Sequence, residues 1–361
     1  MPKKRGTLEE AKRAVDKLMN KSRNKSYKPI AIAEILFHNR IEGKVDLANL
    51  EDYRRRSDAW CHLAFEKLQG VTKKPSNSRY WDQLFEIIPP PFLEILGEEN
   101  RRRKGIVETY IYAHLIDKSA AVLGILHDLR AMQPRQFDLG RFLAQFEKDK
   151  RFRRSVDKIY EILVYALFNA VTKHLGANVT LSIDPNAGRL LADFEDFARL
   201  VLGVDREHPE VTQPARLYRV GTTNAADAGL DMWANFGPAI QVKHLTLKPT
   251  QVDEICGSLQ ADKIVIVCKK MEAASIQAVL KQVGMRDRIR GIITEPELLK
   301  WYELACGERY HNTLGMDLLD ALRIEFLLEF PVTHDQRVNE FLTDRGYDLT
   351  RLSGLWGLQN G

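Results

Sequence analysis

The chain has 361 residues, with 54 Lys or Arg against 49 Asp or Glu, a net charge of +5 and 44% hydrophobic residues. That length and apolar content are enough for two or three packed units and exclude a wholly disordered chain. No apolar run reaches membrane-spanning length, and the opening Met1-Pro2-Lys3-Lys4-Arg5 has no apolar signal core, so a soluble, cytoplasmic protein is expected. Cys61, Cys256, Cys268 and Cys306 lack the close spacing of a zinc site or a disulfide framework, which favours a reducing compartment.

The positive charge is concentrated at the start. Residues 1–28 hold ten Lys or Arg against three Asp or Glu, which leaves the rest slightly acidic. Such an arm attracts phosphate through counterion release without reading sequence, although a solvated terminus looks the same. Apolar residues at helical spacing predict helices over 8–19, 30–37, 47–68 and 107–132, with Pro89-Pro90-Pro91 breaking the pattern. Residues 1–145 thus read as a helical recognition or dimerisation region. Further basic clusters at Arg54-Arg55-Arg56, at Arg101-Arg102-Arg103-Lys104 and over 148–158 are expected to include phosphate contacts.

From about residue 150 the pattern alternates. Residues 157–168 predict a buried helix in which Glu161 is an acid amid apolar neighbours. A strand is expected over 179–183, a turn over 184–188 and a helix over 194–202. Asp231-Met232-Trp233 and 239–245 read as neighbouring strands joined by Asn235-Phe236-Gly237-Pro238. Strands at 263–267 and 291–293 and helices at 273–283 and 296–305 follow. The fold class is therefore α/β, with a mixed central sheet over 150–310 and a helical extension over 311–361 whose strongest segment is 318–328.

The chemistry lies in the hairpin. Side chains on a strand alternate faces, so Gln241 and Lys243 point one way while Ile240 and Val242, and further on Leu245, read as the packed side. The turn brings Asp231 beside them. Phosphodiester hydrolysis needs a hard cation on the phosphate, a deprotonated water behind it and positive charge where the transition state turns negative. Asp231 offers magnesium an anionic oxygen, Gln241 a neutral one, and Lys243 remains as the cation. Glu161 is the candidate second carboxylate. Asp227 lies in a Gly- and Ala-rich loop and is either an Asx-turn residue or another metal ligand. His244 points to the opposite face and reads as structural or DNA-facing; Arg216, Arg219 and Lys248 are candidates for reading guanine. The ordinary alternatives are a Lys243–Asp231 salt bridge, and for Glu161 the helix dipole's preference for an acid in the first turn.

Tyr160-Glu161 through Phe168, Asp227 through Asp231, and Gln241-Val242-Lys243 together resemble the PD-(D/E)XK nuclease superfamily. The closest variant has glutamine in place of the second acid, as in Mrr-like restriction enzymes. The resemblance implies a restriction-endonuclease-like core with Glu161, Asp231 and Lys243 in the active site and Gln241 in the acidic slot. Residues 27–36, Ile88-Pro89-Pro90, Glu108 through Tyr112 and 227–247 are similar to the HaeII family of type II restriction endonucleases. That family implies Mg2+-dependent cutting of double-stranded DNA at a short GC-rich palindrome of the RGCGCY type. It also implies a homodimer and a cognate methyltransferase in the same cell. Two other readings stay open: an Mrr-like modification-dependent or junction-cutting nuclease, and a non-catalytic DNA-binding protein in which Gln241 marks a decayed site. Intact Asp231 and Lys243 argue against the last.

Overall fold

A computed structural model describes residues 6–21, 27–43, 45–70, 84–220, 230–248, 251, 254–255, 261–271, 289–330, 332–333 and 335–358. In chain order the helices are α1 (Leu8–Lys21), α2 (Tyr27–Glu42), α3 (Leu50–Tyr53), α4 (Arg56–Gln69), α5 (Pro90–Arg102), α6 (Ile106–Ala131), α7 (Leu139–Lys148), α8 (Val156–His174), α9 (Glu295–Cys306), α10 (Met316–Glu329) and α11 (Asp335–Arg345). Thr7 and Glu10 form the capping box that starts α1, each side chain accepting from the other's backbone N–H. The triple proline starts a helix as well as breaking one, because Pro90 occupies the first turn of α5, where no N–H is required.

One predicted helix is broken. Over 47–68 the chain forms α3 and α4 instead, since the Asn49 side chain accepts from Glu51 N at 3.2 Å and caps a new start there. Ser57 Oγ and Arg56 Nε then bond the carbonyls of Arg54 and Asp52, drawing the backbone out of a continuous helix. Gly70, at φ 69, closes α4 in the left-handed region.

The chain divides into two units, Met1–Met132 with Ala144–Val156 and Arg323–Gly361, and Gln133–Leu143 with Asp157–Leu322. The first is helical and is organised around two buried carboxylates. Glu108 accepts from Arg40 Nε and Nη2 at 3.0 and 2.8 Å, from the Tyr347 hydroxyl at 2.8 Å and from Asn100 Nδ2. Glu34 accepts from the Tyr112 hydroxyl at 2.6 Å and from both Arg345 terminal nitrogens at 3.2 and 2.9 Å. The Tyr112 and Tyr347 rings stack 5.6 Å apart, so α11 and the turn after it are tied to α2 and α6.

The second unit holds a five-stranded mixed sheet. Its strands β3 (Leu217–Arg219), β4 (Met232–Ala234), β5 (Ala239–Leu247), β6 (Ile264–Met271) and β7 (Ile289–Thr294) lie in sequence order. The first two pairings are antiparallel and the last two parallel. β4 and β5 form the expected hairpin, closed by Ala234 N donating to Pro238 O at 3.1 Å, with Gly237 at φ 112. Helix α8 packs on this sheet. Its Tyr160 and Tyr165 hydroxyls donate to the carbonyls of Cys268 and Leu217, and Tyr302 of α9 donates to Leu163 O at 2.8 Å.

The strand expected over 179–183 exists as β1 (Asn178–Ser182), but it pairs only with β2 (Glu210–Pro214) in a separate two-stranded sheet. Neither strand has a buried residue, so nothing drives them onto the central sheet. The helix expected over 194–202 is a series of short turns, Glu195–Phe197 and then a π-type segment Ala198–Leu202. The helix expected over 273–283 and Cys256 lie outside the described residues. Cys61, Cys268 and Cys306 are buried free thiols. No described helix is long and apolar enough to cross a membrane.

Removing Glu108 strands a guanidinium, a hydroxyl and an amide in the core. Glu108→Ala is expected to cost about 3–5 kcal/mol of unfolding free energy, whereas Tyr347→Phe costs about 1 kcal/mol. Urea unfolding followed by circular dichroism measures both, and equal costs would contradict the central place given to Glu108.

Candidate active site

Helix α8 and the β4–β5 hairpin deliver four polar side chains to one place. Lys158 and Glu161 lie three residues apart on α8, close enough to meet on its surface, and Lys158 Nζ hydrogen-bonds Glu161 Oε2. Arg219, at the end of β3, donates from Nη1 to Glu161 Oε1 at 3.1 Å. Its register partner on β4 is Met232, which puts it next to Asp231.

Asp231 is fixed by the hairpin. Its backbone N bonds Ile240 O at 3.3 Å and its carbonyl accepts from Val220 N at 2.8 Å. Oδ2 accepts from Gln241 Nε2 at 2.6 Å and from Val242 N at 2.8 Å, and Oδ1 stands 4.0 Å from Lys158 Nζ. Gln241 is only 2% exposed, and its carbonyl oxygen stays outside the bond to Asp231. Lys243 is half-buried two residues on, on the strand face that Gln241 shares.

The electrostatics follow from two acids in a dry site. Burial pushes the Glu161 carboxyl up to about 7, and the neighbouring Asp231 charge adds to this while Lys158 and Arg219 oppose it. Burial likewise raises Asp231, against the Val242 N–H, Lys158 and Lys243. The Asp231 charge makes Glu161 harder to ionise, whereas Glu161 favours the ionised form of Asp231 through a side-chain hydrogen bond.

The ordinary alternatives fare poorly. Asp231 and Lys243 form no ion pair; among the described residues the cation paired with that carboxylate is Lys158, at 4.0 Å. Glu161 is the sixth residue of α8, and the first-turn acid is Asp157, so the dipole at the helix start does not account for it. His244 packs against Tyr160, ring centroids 4.8 Å apart, as a structural residue does.

Arg219 stands apart from its sequence reading. Grouped there with possible guanine readers, its side chain is 9% exposed and bonds Glu161. Arg216 and Lys248 are exposed. Lys158 counted in the sequence only as part of a basic stretch; its spacing to Glu161 on one helix was the signal for its position here. Asp227 lies outside the described residues. Among the described residues no group of three or more His, Cys, Asp or Glu gathers as a metal cluster, so the site offers a cation two carboxylates and a carboxamide.

The sequence pattern of the HaeII restriction endonuclease family matches residues 11–347, a span that includes all of these side chains. The chain belongs to that family. It is 40% identical over 343 residues to the type II restriction enzyme HaeII of Haemophilus aegyptius, covering 94% of this chain and 97% of that one. It is 42% identical over 352 residues to the type II restriction enzyme NgoBI of Neisseria gonorrhoeae, covering 95% and 99% respectively. No solved structure matches the chain significantly. The family is the one the sequence resembled, and its members' names are those of DNA-cutting enzymes.

The raised Glu161 carboxyl has a consequence for stability. Protonation favours the fold because this carboxyl ionises at about 4.5 when unfolded and about 7 when folded. Its contribution is therefore full below pH 4.5 and is lost as pH rises towards 7. In EDTA, Glu161→Gln should remove that fall, so that the variant gains on the native protein as pH rises through this window. Parallel thermal-melting curves from pH 4.5 to 7 would show that Glu161 ionises normally.

Proposed function

We propose that the protein is a magnesium-dependent type II restriction endonuclease of the PD-(D/E)XK kind, with Glu161, Asp231, Gln241 and Lys243 as its active site. The substrate is double-stranded DNA carrying a short GC-rich palindrome of the RGCGCY type. The observation that carries this reading is the convergence of Glu161 from α8 with Asp231 and Gln241 from the hairpin, in a chain of a restriction endonuclease family.

The donor set fits magnesium. Two neighbouring carboxylates whose pKa values are raised by burial are relieved by a divalent cation, and magnesium is satisfied by one or two carboxylates with water and phosphate oxygens. Asp231 and Glu161 would hold it, with the Gln241 carbonyl as a neutral ligand. When bound, it polarises the phosphate and acidifies water.

The protein's own groups do the rest. Gln241 Nε2 and Val242 N hold the Asp231 carboxylate in one orientation. Lys243, which has no ion pair among the described residues, keeps its charge available to an anionic phosphate or to the proton of the attacking water. Lys158 and Arg219 position Glu161. Reading a palindrome and cutting both strands suits a homodimer, and the host's own copies of the site require a protecting methyltransferase.

Purified protein is incubated with unmethylated genomic DNA, with magnesium or with EDTA, and the fragment ends are sequenced. Discrete magnesium-dependent ends sharing one GC-rich palindrome are expected; cutting only at junctions or modified bases would overturn the reading. Asp231→Asn and Lys243→Ala should each lower the cleavage rate by about 10²-fold or more, with duplex binding retained in calcium. Gln241→Glu should keep measurable activity if the residue supplies an oxygen ligand, and a folded but inert variant would argue otherwise. Magnesium competes with the proton on Glu161, so half-saturation for cleavage should require more magnesium as pH falls below about 7. A pH-independent requirement would remove Glu161 from the ligand set.

A further inference from the structure

The helical unit contains a cleft of about 610 Å³ walled by α1, α2, α6 and the segment that leads into α8. Lys118, Lys150, Arg151, Arg153, Arg154 and His114 all line it. Arg151 is held by Asp149 at 2.7 Å and by Asp117 at 3.2 Å, which makes it a fixed part of the wall. Lys150, Arg153 and Arg154 are exposed and have no ion pair among the described residues. Cations crowded into one concavity repel each other and draw an anion.

His114 points to a ligand independently of charge. Its ring packs edge-on against Tyr110, centroids 4.7 Å apart, and its Nε2 is buried without a hydrogen-bond partner among the described residues. Buried polar atoms are ordinarily satisfied, so a small shift of the wall that exposed this nitrogen would give it a partner in a group seated in the cleft. Burial also keeps the His114 imidazole below its usual range and pushes Lys118 down to about 8, both of which a bound anion reverses.

The chemistry of the walls identifies the anion. The long side chains offer donors almost exclusively, which suits phosphate oxygens, since these only accept; base edges present both donors and acceptors. Among the described residues no Phe, Tyr or Trp lines the cleft, so it has no ring on which a nucleotide base would stack. We propose that this cleft seats the sugar–phosphate backbone of DNA through Lys150, Arg153, Arg154 and His114, supplying affinity that is independent of base sequence. The identity of the anion rests on the nuclease reading of the other unit.

The test is the salt dependence of duplex binding by the full chain in EDTA, on short duplexes with and without the cleaved sequence. Arg153→Gln with Arg154→Gln should reduce the slope of log affinity against log salt by about 2, one for each phosphate no longer neutralised, and equally on both duplexes. Arg141→Gln with Arg206→Gln removes the same charge at exposed positions outside the cleft and should leave the slope native. His114→Phe should weaken binding several-fold at fixed salt without changing the slope.

A native slope in the cleft variant, an equal fall in the control, or a loss confined to one duplex would each overturn the proposal. Asp231→Asn separates the two readings, because it should stop cutting and keep the native slope. If the native protein cuts no DNA yet the cleft variant loses slope, the nuclease reading fails and the backbone cleft stands.

Discussion

A buried carboxylate, Glu161, beside a part-buried one, Asp231, sets the terms for the second unit. An ionised carboxylate removed from water is costly unless charge and hydrogen bonds replace the lost solvation, and a second one beside it doubles the demand. Lys158, Arg219, Gln241 and the Val242 N–H are the local answer, and together they still leave both acids raised. The helical unit shows the contrast. Glu34 and Glu108 are more deeply buried than Asp231, but each is ringed by guanidinium and hydroxyl donors. The same residue type is thus fully paired in one unit and left with a raised carboxyl in the other, and the difference lies in what faces it.

The hairpin register carries that arrangement. Met232 pairs with Ile240 and Trp233 with Ala239, which sets Asp231 against Gln241 and Val242. A slip of one residue would turn Gln241 and Lys243 into the apolar face and bring Ile240 and Val242 out of it. The turn resists such a slip through Asn235, whose side chain donates to Pro214 O and accepts from Arg216 N, linking the hairpin to the strand before it. The register that keeps the sheet packed is therefore also the one that brings Asp231, Gln241 and Val242 N together.

Much of this was legible because it is local. Alternation assigned Gln241 and Lys243 to one face, turn residues placed the hairpin, and an acid standing alone in an apolar helix marked Glu161. The parts that were not legible depend on distant partners. Arg219 looks the same in sequence whether it reads guanine or bonds an acid 58 residues away. The ties of Tyr347 to Glu108 and of Arg345 to Glu34 cross 239 and 311 residues, and no periodicity in the last fifty residues announces them. The break in the helix expected over 47–68 was local but subtle, since an asparagine cap competes with helix continuation on nearly equal terms.

The placement of positive charge separates two kinds of basic residue that composition lumps together. Arg219 and Arg40 are each held by a buried carboxylate, so their charge is already answered within the protein. Arg153 and Arg154 stand exposed in a concave surface with no such answer among the described residues. Beyond residue 28 the chain is slightly acidic, so any attraction for a polyanion there arises from local groups and not from net charge. An enzyme that must ignore most of the DNA it meets gains from this economy: diffuse attraction would raise binding to every sequence equally and narrow the margin by which base contacts select one site.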